Sequence, residues 1–153
     1  MNRHDPIITI RAPGRICLLG EHQDYLGLEV ISGALPLGIT LTAVPDPRPD
    51  TPDSFDITLH QTGEHRILQA RSPVDRPAPR DYLQSGLNVF LALGARFSRG
   101  WRVDVDGDLP IGKGLSSSSA LCVGWAALLA AAADPPIPLT PLETAQLAFR
   151  MEV

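Results

Sequence analysis

Short runs that are rich in β-branched residues, or that alternate apolar and polar residues, recur through the first two thirds of the chain. They lie at residues 7–11, 30–32, 39–44, 55–60, 64–69 and 101–105 and predict β-strands. The runs at 55–60 and 64–69 are separated by Gln61, Thr62 and Gly63, so we expect them to form a hairpin. We expect Ala12-Pro13-Gly14 to end the first strand, because proline and glycine interrupt regular structure.

Three further stretches have the character of helices. Residues 81–97 carry apolar positions close to helical spacing, and residues 117–133 are rich in alanine and leucine. Thr140 and Glu143 have the spacing of a capping box, which predicts a third helix from Pro141 to the end of the sequence. Strands followed by helices in this pattern predict the α+β class, with a mostly antiparallel sheet covered by helices.

Composition narrows the range of functions. The chain has 153 residues, 44% of them hydrophobic and 20% charged, which is enough to bury the core of one domain. A formal net charge of −4 argues against a nucleic-acid binder. The two cysteines are too few for a disulfide scaffold. The N-terminus lacks a secretory signal, and the longest apolar run, residues 120–133, is too short for a membrane span. We therefore expect a soluble, cytoplasmic protein.

The Gly/Ser segment, residues 109–119, is the strongest chemical feature. It follows a predicted strand and opens a predicted helix, and it reads Leu-Pro-Ile-Gly-Lys-Gly-Leu-Ser-Ser-Ser-Ser. Gly112 and Gly114 allow tight turns and a close approach of a ligand to the backbone. The serines lie where unpaired N–H groups and the helix dipole favour an anion, and their hydroxyls are able to ligate Mg²⁺. The segment predicts a phosphate-binding loop; the alternative is a polar loop with a serine helix cap.

Residues 107–114 almost match a different phosphate loop, G-x-x-x-x-G-K followed by serine or threonine. Gly114 stands where the Mg²⁺-ligating hydroxyl would be, and that loop belongs to parallel βαβ sheets. We therefore reject this interpretation. Lys113 is either a mobile cation near a nucleotide phosphate or a solvated loop residue.

The N-terminal signature, residues 11–27, collects five groups that suit sugar and phosphate chemistry. They are Arg15, Glu21, His22, Asp24 and Tyr25. Carboxylates and an imidazole exchange hydrogen bonds with sugar hydroxyls, and an arginine stabilises developing phosphoryl charge. Taken alone, the same residues also fit a solvated turn.

Taken together, the two segments resemble those of a known family. RAPGRICLLGEHQDYLG resembles the galactokinase signature, and LPIGKGLSSSSAL resembles the ATP loop of the GHMP kinases, which include galactokinase, homoserine kinase, mevalonate kinase and phosphomevalonate kinase. They occur in the family's order and at about its spacing. The resemblance implies that residues 1–153 form the family's N-terminal ATP- and sugar-binding domain, an α+β unit related to a ribosomal-protein fold. The family's C-terminal ferredoxin-like domain is expected to be absent from this truncated chain.

The resemblance also implies roles for individual residues. Arg15 would lie beside the transferred phosphoryl group as the catalytic residue. Sugar recognition would fall to Glu21, His22, Asp24 and Tyr25. The ATP phosphates would be bound by Pro110, Gly112, Lys113, Gly114, Leu115, Ser116, Ser117, Ser118 and Ser119. Mg²⁺ would be ligated by Ser118 and by Glu152, which lies in a C-terminal stretch that matches the family's second metal ligand.

Two positions depart from the family pattern. Cys17 stands where galactokinases carry asparagine, which leaves the sugar open between galactose and related sugars, and Ser119 stands where alanine is usual. The segment with the family's catalytic aspartate would follow Glu152, beyond the end of the sequence. We therefore expect the N-terminal part of an ATP- and Mg²⁺-dependent sugar kinase with little turnover by itself. The alternatives are a non-catalytic sugar- or nucleotide-binding module, the remnant of a shortened gene, and a half-enzyme completed by a separate chain that supplies the C-terminal domain.

Overall fold

The structure, a computed structural model, describes residues 6–48, 52–75 and 77–152, without the side chain of Asp24. A mixed β-sheet runs through this part of the chain. Its strands are β1 (Ile8–Leu19), β2 (Ile31–Pro45), β3 (Ser54–Leu59), β4 (Glu64–Gln69) and β5 (Trp101–Gly107), in the order β1-β2-β5-β3-β4. All neighbours are antiparallel except β3 and β5. The prediction of a mostly antiparallel sheet is confirmed.

Helices cover one face of this sheet. They are α1 (Tyr82–Ala92), α2 (Ser117–Ala132) and α3 (Pro141–Glu152). Alternate residues of the central strands, such as Leu41 and Val103, are buried beneath them. Trp125 of α2 is fully buried and meets the ring of Phe55 edge to face, with ring centroids 5.2 Å apart. The predicted α+β class is confirmed. In the described residues, every helix is too short or too polar to cross a membrane.

The expected break at Ala12-Pro13-Gly14 is wrong, because β1 continues through it to Leu19. β1 is the edge strand of the sheet that the described residues form, so one side of it pairs with no strand of that sheet and tolerates a proline. A register shift between Pro13 and Arg15 absorbs the irregularity as a bulge. The two strands predicted at residues 30–32 and 39–44 are one strand in the structure, β2, which begins at Ile31.

The two C-terminal helices begin where the sequence predicts. In α3, the Thr140 backbone N–H donates to the Glu143 carboxylate at 2.8 Å, and the Glu143 N–H donates to the Thr140 hydroxyl at 3.3 Å, which confirms the capping box.

The first helix is shorter than predicted. It ends at Ala92 rather than residue 97, because Gly94 takes a left-handed φ of 82° that ends the helix.

An ion pair fixes the start of α1 against β4. The Arg66 guanidinium donates two hydrogen bonds of 2.6 Å to Asp81, and Asp81 also accepts the Gln84 N–H at 3.1 Å as the helix cap. Burial alone would raise the pKa of Asp81, but these hydrogen bonds outweigh it and lower the pKa below its ordinary value. The hydrogen bonds to Asp81 likewise raise the pKa of Arg66.

We predict that this pair makes folding stability sensitive to acid. Because the pKa of Asp81 is lower in the folded chain than in the unfolded chain, its stabilising effect is complete above about pH 4 and is lost as the pH falls through the folded value. Arg66→Met should lower the free energy of unfolding near neutral pH by about 2 kcal/mol and flatten its decline in acid. Urea unfolding across this pH range measures both effects.

Arg71→Met is the matched control for that experiment. Arg71 is exposed, and its Nε lies 3.9 Å from Oδ2 of Asp53. Its substitution therefore removes the same charge as Arg66→Met but leaves the hydrogen bonds of Asp81 in place. Equal acid dependence in the two variants would contradict the role given to the pair.

Candidate functional site

The two sequence segments meet at a backbone hydrogen bond. The Arg15 N–H on β1 donates to the Leu115 carbonyl in the Gly/Ser segment at 3.2 Å. Gly14 makes this approach possible, since a Cβ atom there would lie 3.0 Å from the Leu115 carbonyl oxygen and 2.4 Å from Cδ1 of Leu109. Leu109 is fully buried and has little room to move. We call Gly14, Arg15 and Leu115 the β1–loop junction.

The Gly/Ser segment presents open backbone to its surroundings. Gly112 and Gly114 have φ values of 71° and 72°, which favour glycine, and a Cβ built at either position meets nothing within 4 Å among the residues that the structure describes. Ser116 also has a positive φ, 56°, although it is not glycine. The segment therefore combines strained turns with space for a ligand to approach its N–H groups.

The first turn of α2 supplies backbone N–H donors at the candidate site. The first hydrogen bond of the helix runs from the Ala120 N–H to the Ser116 carbonyl at 2.9 Å. The N–H groups of Ser117, Ser118 and Ser119 find no acceptor within the described ranges. These groups carry the positive end of the helix dipole, so the turn favours an anion.

The end of α3 brings a carboxylate to the same turn. The Ser118 hydroxyl donates to Oε1 of Glu152 at 2.5 Å, and the Ser119 hydroxyl donates to Oε2 at 3.1 Å. Mg²⁺ prefers such oxygen ligands and is usually held by one or two carboxylates together with substrate phosphates. The described residues include no group of three or more histidine, cysteine or acidic side chains that could hold a metal. The donor set therefore fits a cation that shares its coordination with a bound phosphate.

A pocket of about 570 Å³ adjoins this turn. Gly112 and Ser118 line it on one side, and Leu59 and Tyr82 line it on another. The Gln61 side chain holds the β3–β4 turn in place by donating from Nε2 to the Gly107 carbonyl at 2.7 Å. Helix, loop and hairpin thus form a cavity that has both polar and apolar walls.

Sequence reasoning missed the far wall of this pocket. Gln61, Arg66 and Tyr82 lie on a hairpin and a helix that are remote in sequence from the Gly/Ser segment. The only signal was the hairpin turn at 61–63, which indicates a reversal of the chain but no chemistry. The contact between hairpin and loop depends on the sheet order, which no local pattern encodes.

The predicted sugar-site residues lie on β1 and in the connection that follows it. Arg15 lies in the β1–loop junction, with its side chain exposed. Glu21, His22 and Tyr25 are exposed in the connection between β1 and β2, beyond Leu19. Four residues of extended strand span about 13 Å, so this group begins well away from Arg15. The side chains of Glu21 and His22 make no hydrogen bond or ion pair in the described part of the chain. Asp24 starts a short 3₁₀ turn, and its side chain lies outside the described part.

The remaining candidates differ in exposure. Lys113 and Pro110 are exposed on the Gly/Ser segment, whereas Leu115 is half-buried.

The two cysteines lie in different surroundings. Cys17 is half-buried, and its Sγ donates to the Leu19 carbonyl at 3.2 Å. Burial, reinforced by the Glu152 carboxylate, raises the pKa of the Cys122 thiol to about 12. The Cys122 thiol is therefore expected to be inert.

Comparisons with known proteins agree with this organisation. The family model described as the galactokinase galactose-binding signature matches residues 1–45, and the model of the GHMP kinases N terminal domain matches residues 81–153. The galactokinase of Lacticaseibacillus casei is 37% identical over 118 residues, which is 74% of this chain and 29% of that protein. The chain thus spans about three tenths of the length of the curated galactokinases it matches.

Solved structures show the same fold. The chain is similar to a Lactococcus lactis galactokinase solved with galactose, with a TM-score of 0.78 at 21% identity over 96% of this chain and 39% of that one. It is also similar to the mevalonate kinase of Methanococcus jannaschii, with a TM-score of 0.77 at 19% identity over 99% of this chain and 47% of that one. These matches support the α+β architecture across almost the whole chain.

We predict that Gly14→Ala disrupts the β1–loop junction. The added methyl group would force Leu109 or the Leu115 carbonyl to move, and we expect a loss of about 1–3 kcal/mol in the free energy of unfolding. Gly33→Ala is the control, because the nearest described atom to a Cβ atom there is Cδ1 of Leu18, at 4.0 Å. Urea unfolding of both variants measures the effect, and equal stability would contradict the close approach.

We predict the opposite sign for Ser116→Gly. Ser116 holds a left-handed φ, and within the described residues its side chain makes no capping hydrogen bond, so glycine removes strain without losing such a bond. We expect a gain of about 1 kcal/mol in the free energy of unfolding. Ser117→Gly, inside the helix, should lower it instead, and the same urea titration compares the two. Destabilisation by Ser116→Gly would show that the hydroxyl has an unrecognised role.

Proposed function

The chain belongs to the GHMP kinases and carries a galactokinase-type signature, and on that premise we propose that it is the ATP- and sugar-binding part of a sugar kinase. In this reaction the γ-phosphate of ATP passes to a hydroxyl of galactose or a related sugar. One observation carries the proposal: the hydrogen bond from the Arg15 N–H to the Leu115 carbonyl, which joins the signature strand to the loop beside the anion-favouring turn of α2. A phosphoryl donor and its acceptor need such shared positioning.

The nucleotide phosphates would bind at the start of α2. The N–H groups of Ser117, Ser118 and Ser119 would donate to phosphate oxygens, and the helix dipole would add to the attraction. The backbone at Gly112 and Gly114 is open enough for the phosphates to lie against it. The adjoining pocket would take the rest of the nucleotide, with its apolar walls against the base.

Ser118 and Glu152 would provide the protein's ligands for Mg²⁺. Their oxygen atoms already lie 2.5 Å apart at the edge of the proposed phosphate site. The cation would neutralise phosphate charge during transfer. The two side chains hold that position because α2 and α3 are both packed into the core through buried residues such as Trp125 and Met151.

The acceptor sugar would lie between the β1–loop junction and the connection from β1 to β2. The Arg15 guanidinium would stabilise the negative charge of the moving phosphoryl group. Glu21, His22, Asp24 and Tyr25 would hold the sugar hydroxyls. These residues lie further along the chain than Arg15, in the connection from β1 to β2. The sugar would therefore bind between them and Arg15 and present one hydroxyl towards Arg15.

The family's catalytic aspartate has no counterpart by motif within these 153 residues. We therefore propose that the 153-residue chain binds both ligands but turns over far more slowly than the roughly 1–100 s⁻¹ typical of kinases.

Calorimetry with the 153-residue chain tests this function. We expect heats of binding for Mg²⁺·ATP and for galactose, with weaker binding of its C4 epimer glucose. Arg15→Gln should weaken Mg²⁺·ATP binding about tenfold, because a charge-assisted contact is lost. Arg99→Gln is the control, since Arg99 is exposed on the loop before β5. A coupled assay on the same samples measures turnover.

The possible outcomes separate the candidate functions. Absence of binding to both Mg²⁺·ATP and sugars would refute the proposal. Sugar and nucleotide binding that is indifferent to Arg15→Gln would favour the non-catalytic module. Turnover in the ordinary kinase range would refute the expected inactivity while supporting the kinase assignment.

A further inference from the structure

Glu152 is contacted by two adjacent hydroxyls, not by one. Ser118 donates to Oε1 at 2.5 Å, and Ser119 donates to Oε2 at 3.1 Å, with a second approach to Oε1 at 3.3 Å. We propose that Ser119 is a positioning residue that fixes the plane of the Glu152 carboxylate, so that Oε1 and the Ser118 hydroxyl face a divalent cation together. This inference rests on the proposed function of the same site.

The need for a positioning residue follows from the place of Glu152. It is an exposed residue in the last turn of α3, and its side chain has several freely rotating bonds. Holding such a side chain in one rotamer costs conformational entropy. A cation that had to order the carboxylate itself would bind correspondingly more weakly. The hydrogen bond from Ser119 provides that order before the cation arrives.

The lone pairs of the Glu152 carboxylate explain why Ser118 and Ser119 have different roles. An ionised carboxylate has about four acceptor positions on its two oxygens. Ser119 occupies Oε2, which leaves Oε1 with capacity for a cation besides the Ser118 hydrogen bond. The Ser118 hydroxyl likewise keeps lone pairs for the cation while it donates its hydrogen. Ser119 therefore acts through Glu152 and need not touch the cation.

Packing does not require the Ser119 hydroxyl. α3 is held on the core by the buried side chains of Leu147, Ala148 and Met151. Ser119 is half-buried, and alanine is a better helix former than serine. Removing the hydroxyl should therefore leave the fold and its stability intact, which allows the positioning role to be tested separately.

The test compares Mn²⁺·ATP binding with binding of ATP alone in excess chelator. Calorimetry gives both affinities, and the electron paramagnetic resonance spectrum of bound Mn²⁺ reports its coordination. We expect Ser119→Ala to weaken Mn²⁺·ATP binding about tenfold, as loss of a group that orients a metal ligand typically does, and to alter the Mn²⁺ spectrum. Binding of ATP alone should not change, because alanine keeps the backbone N–H that is proposed to donate to phosphate, and the thermal midpoint should also stay the same.

Two variants complete the design. Ser119→Thr keeps the hydroxyl and should restore Mn²⁺·ATP affinity to within about twofold of the original. Thr144→Ala removes a hydroxyl from α3 that donates to the Thr140 carbonyl at 3.0 Å, and it should leave both affinities unchanged.

Each contrary result has a distinct meaning. Unchanged Mn²⁺·ATP binding in Ser119→Ala would overturn the positioning role and leave the proposed function standing. An equal loss of binding with and without Mn²⁺ would also overturn it, because Ser119 would then act on the phosphates directly. If the unsubstituted chain binds neither Mn²⁺·ATP nor ATP alone, the proposed function itself fails and this inference fails with it.

Discussion

The close approach of β1 to the Gly/Ser segment is the constraint on which the site depends. β1 is the edge of the sheet, so part of its backbone has no neighbouring strand. The Leu115 carbonyl accepts the Arg15 N–H from outside the sheet and thereby satisfies a donor that an edge strand would otherwise leave to solvent. Gly14 permits this contact, since any side chain there would collide with buried Leu109. The edge of the sheet thus becomes one wall of the site.

The helices provide the second half of the site, and buried residues in the core fix their position. α2 begins at Ser117, within the Gly/Ser segment, and its buried residues fix the direction in which its first turn faces. α3 packs beside it through its own apolar stripe, which brings Glu152 to Ser118 although 34 residues separate them. The polar groups proposed to bind phosphate and cation therefore lie on rigid elements, while a ligand would approach over open loop backbone. Because these groups are held in place before a ligand arrives, the entropic cost of binding is lower.

Several elements could be predicted because their signals are local. The hairpin of β3 and β4 followed from alternation around a short polar turn, and the start of α3 followed from the spacing of Thr140 and Glu143. The continuity of β1 through Pro13 could not be predicted, because a proline interrupts a central strand and is tolerated at an edge, and only the sheet order makes β1 an edge. The end of α1 depended on which of two glycines, Gly86 or Gly94, takes a left-handed φ.

The amino-acid sequence by itself determined the element types, the anion-favouring Gly/Ser segment and the polar signature, because side-chain periodicity, capping and backbone freedom act over a few residues. Only the tertiary structure decided that Arg15 meets Leu115, that Ser119 shares the Glu152 carboxylate with Ser118, and that a distant hairpin closes the pocket. It also left Glu21 and His22 exposed beyond the end of β1. These relations depend on the order of the strands and on the burial of helix faces, where contacts between residues far apart in the chain outweigh local preference.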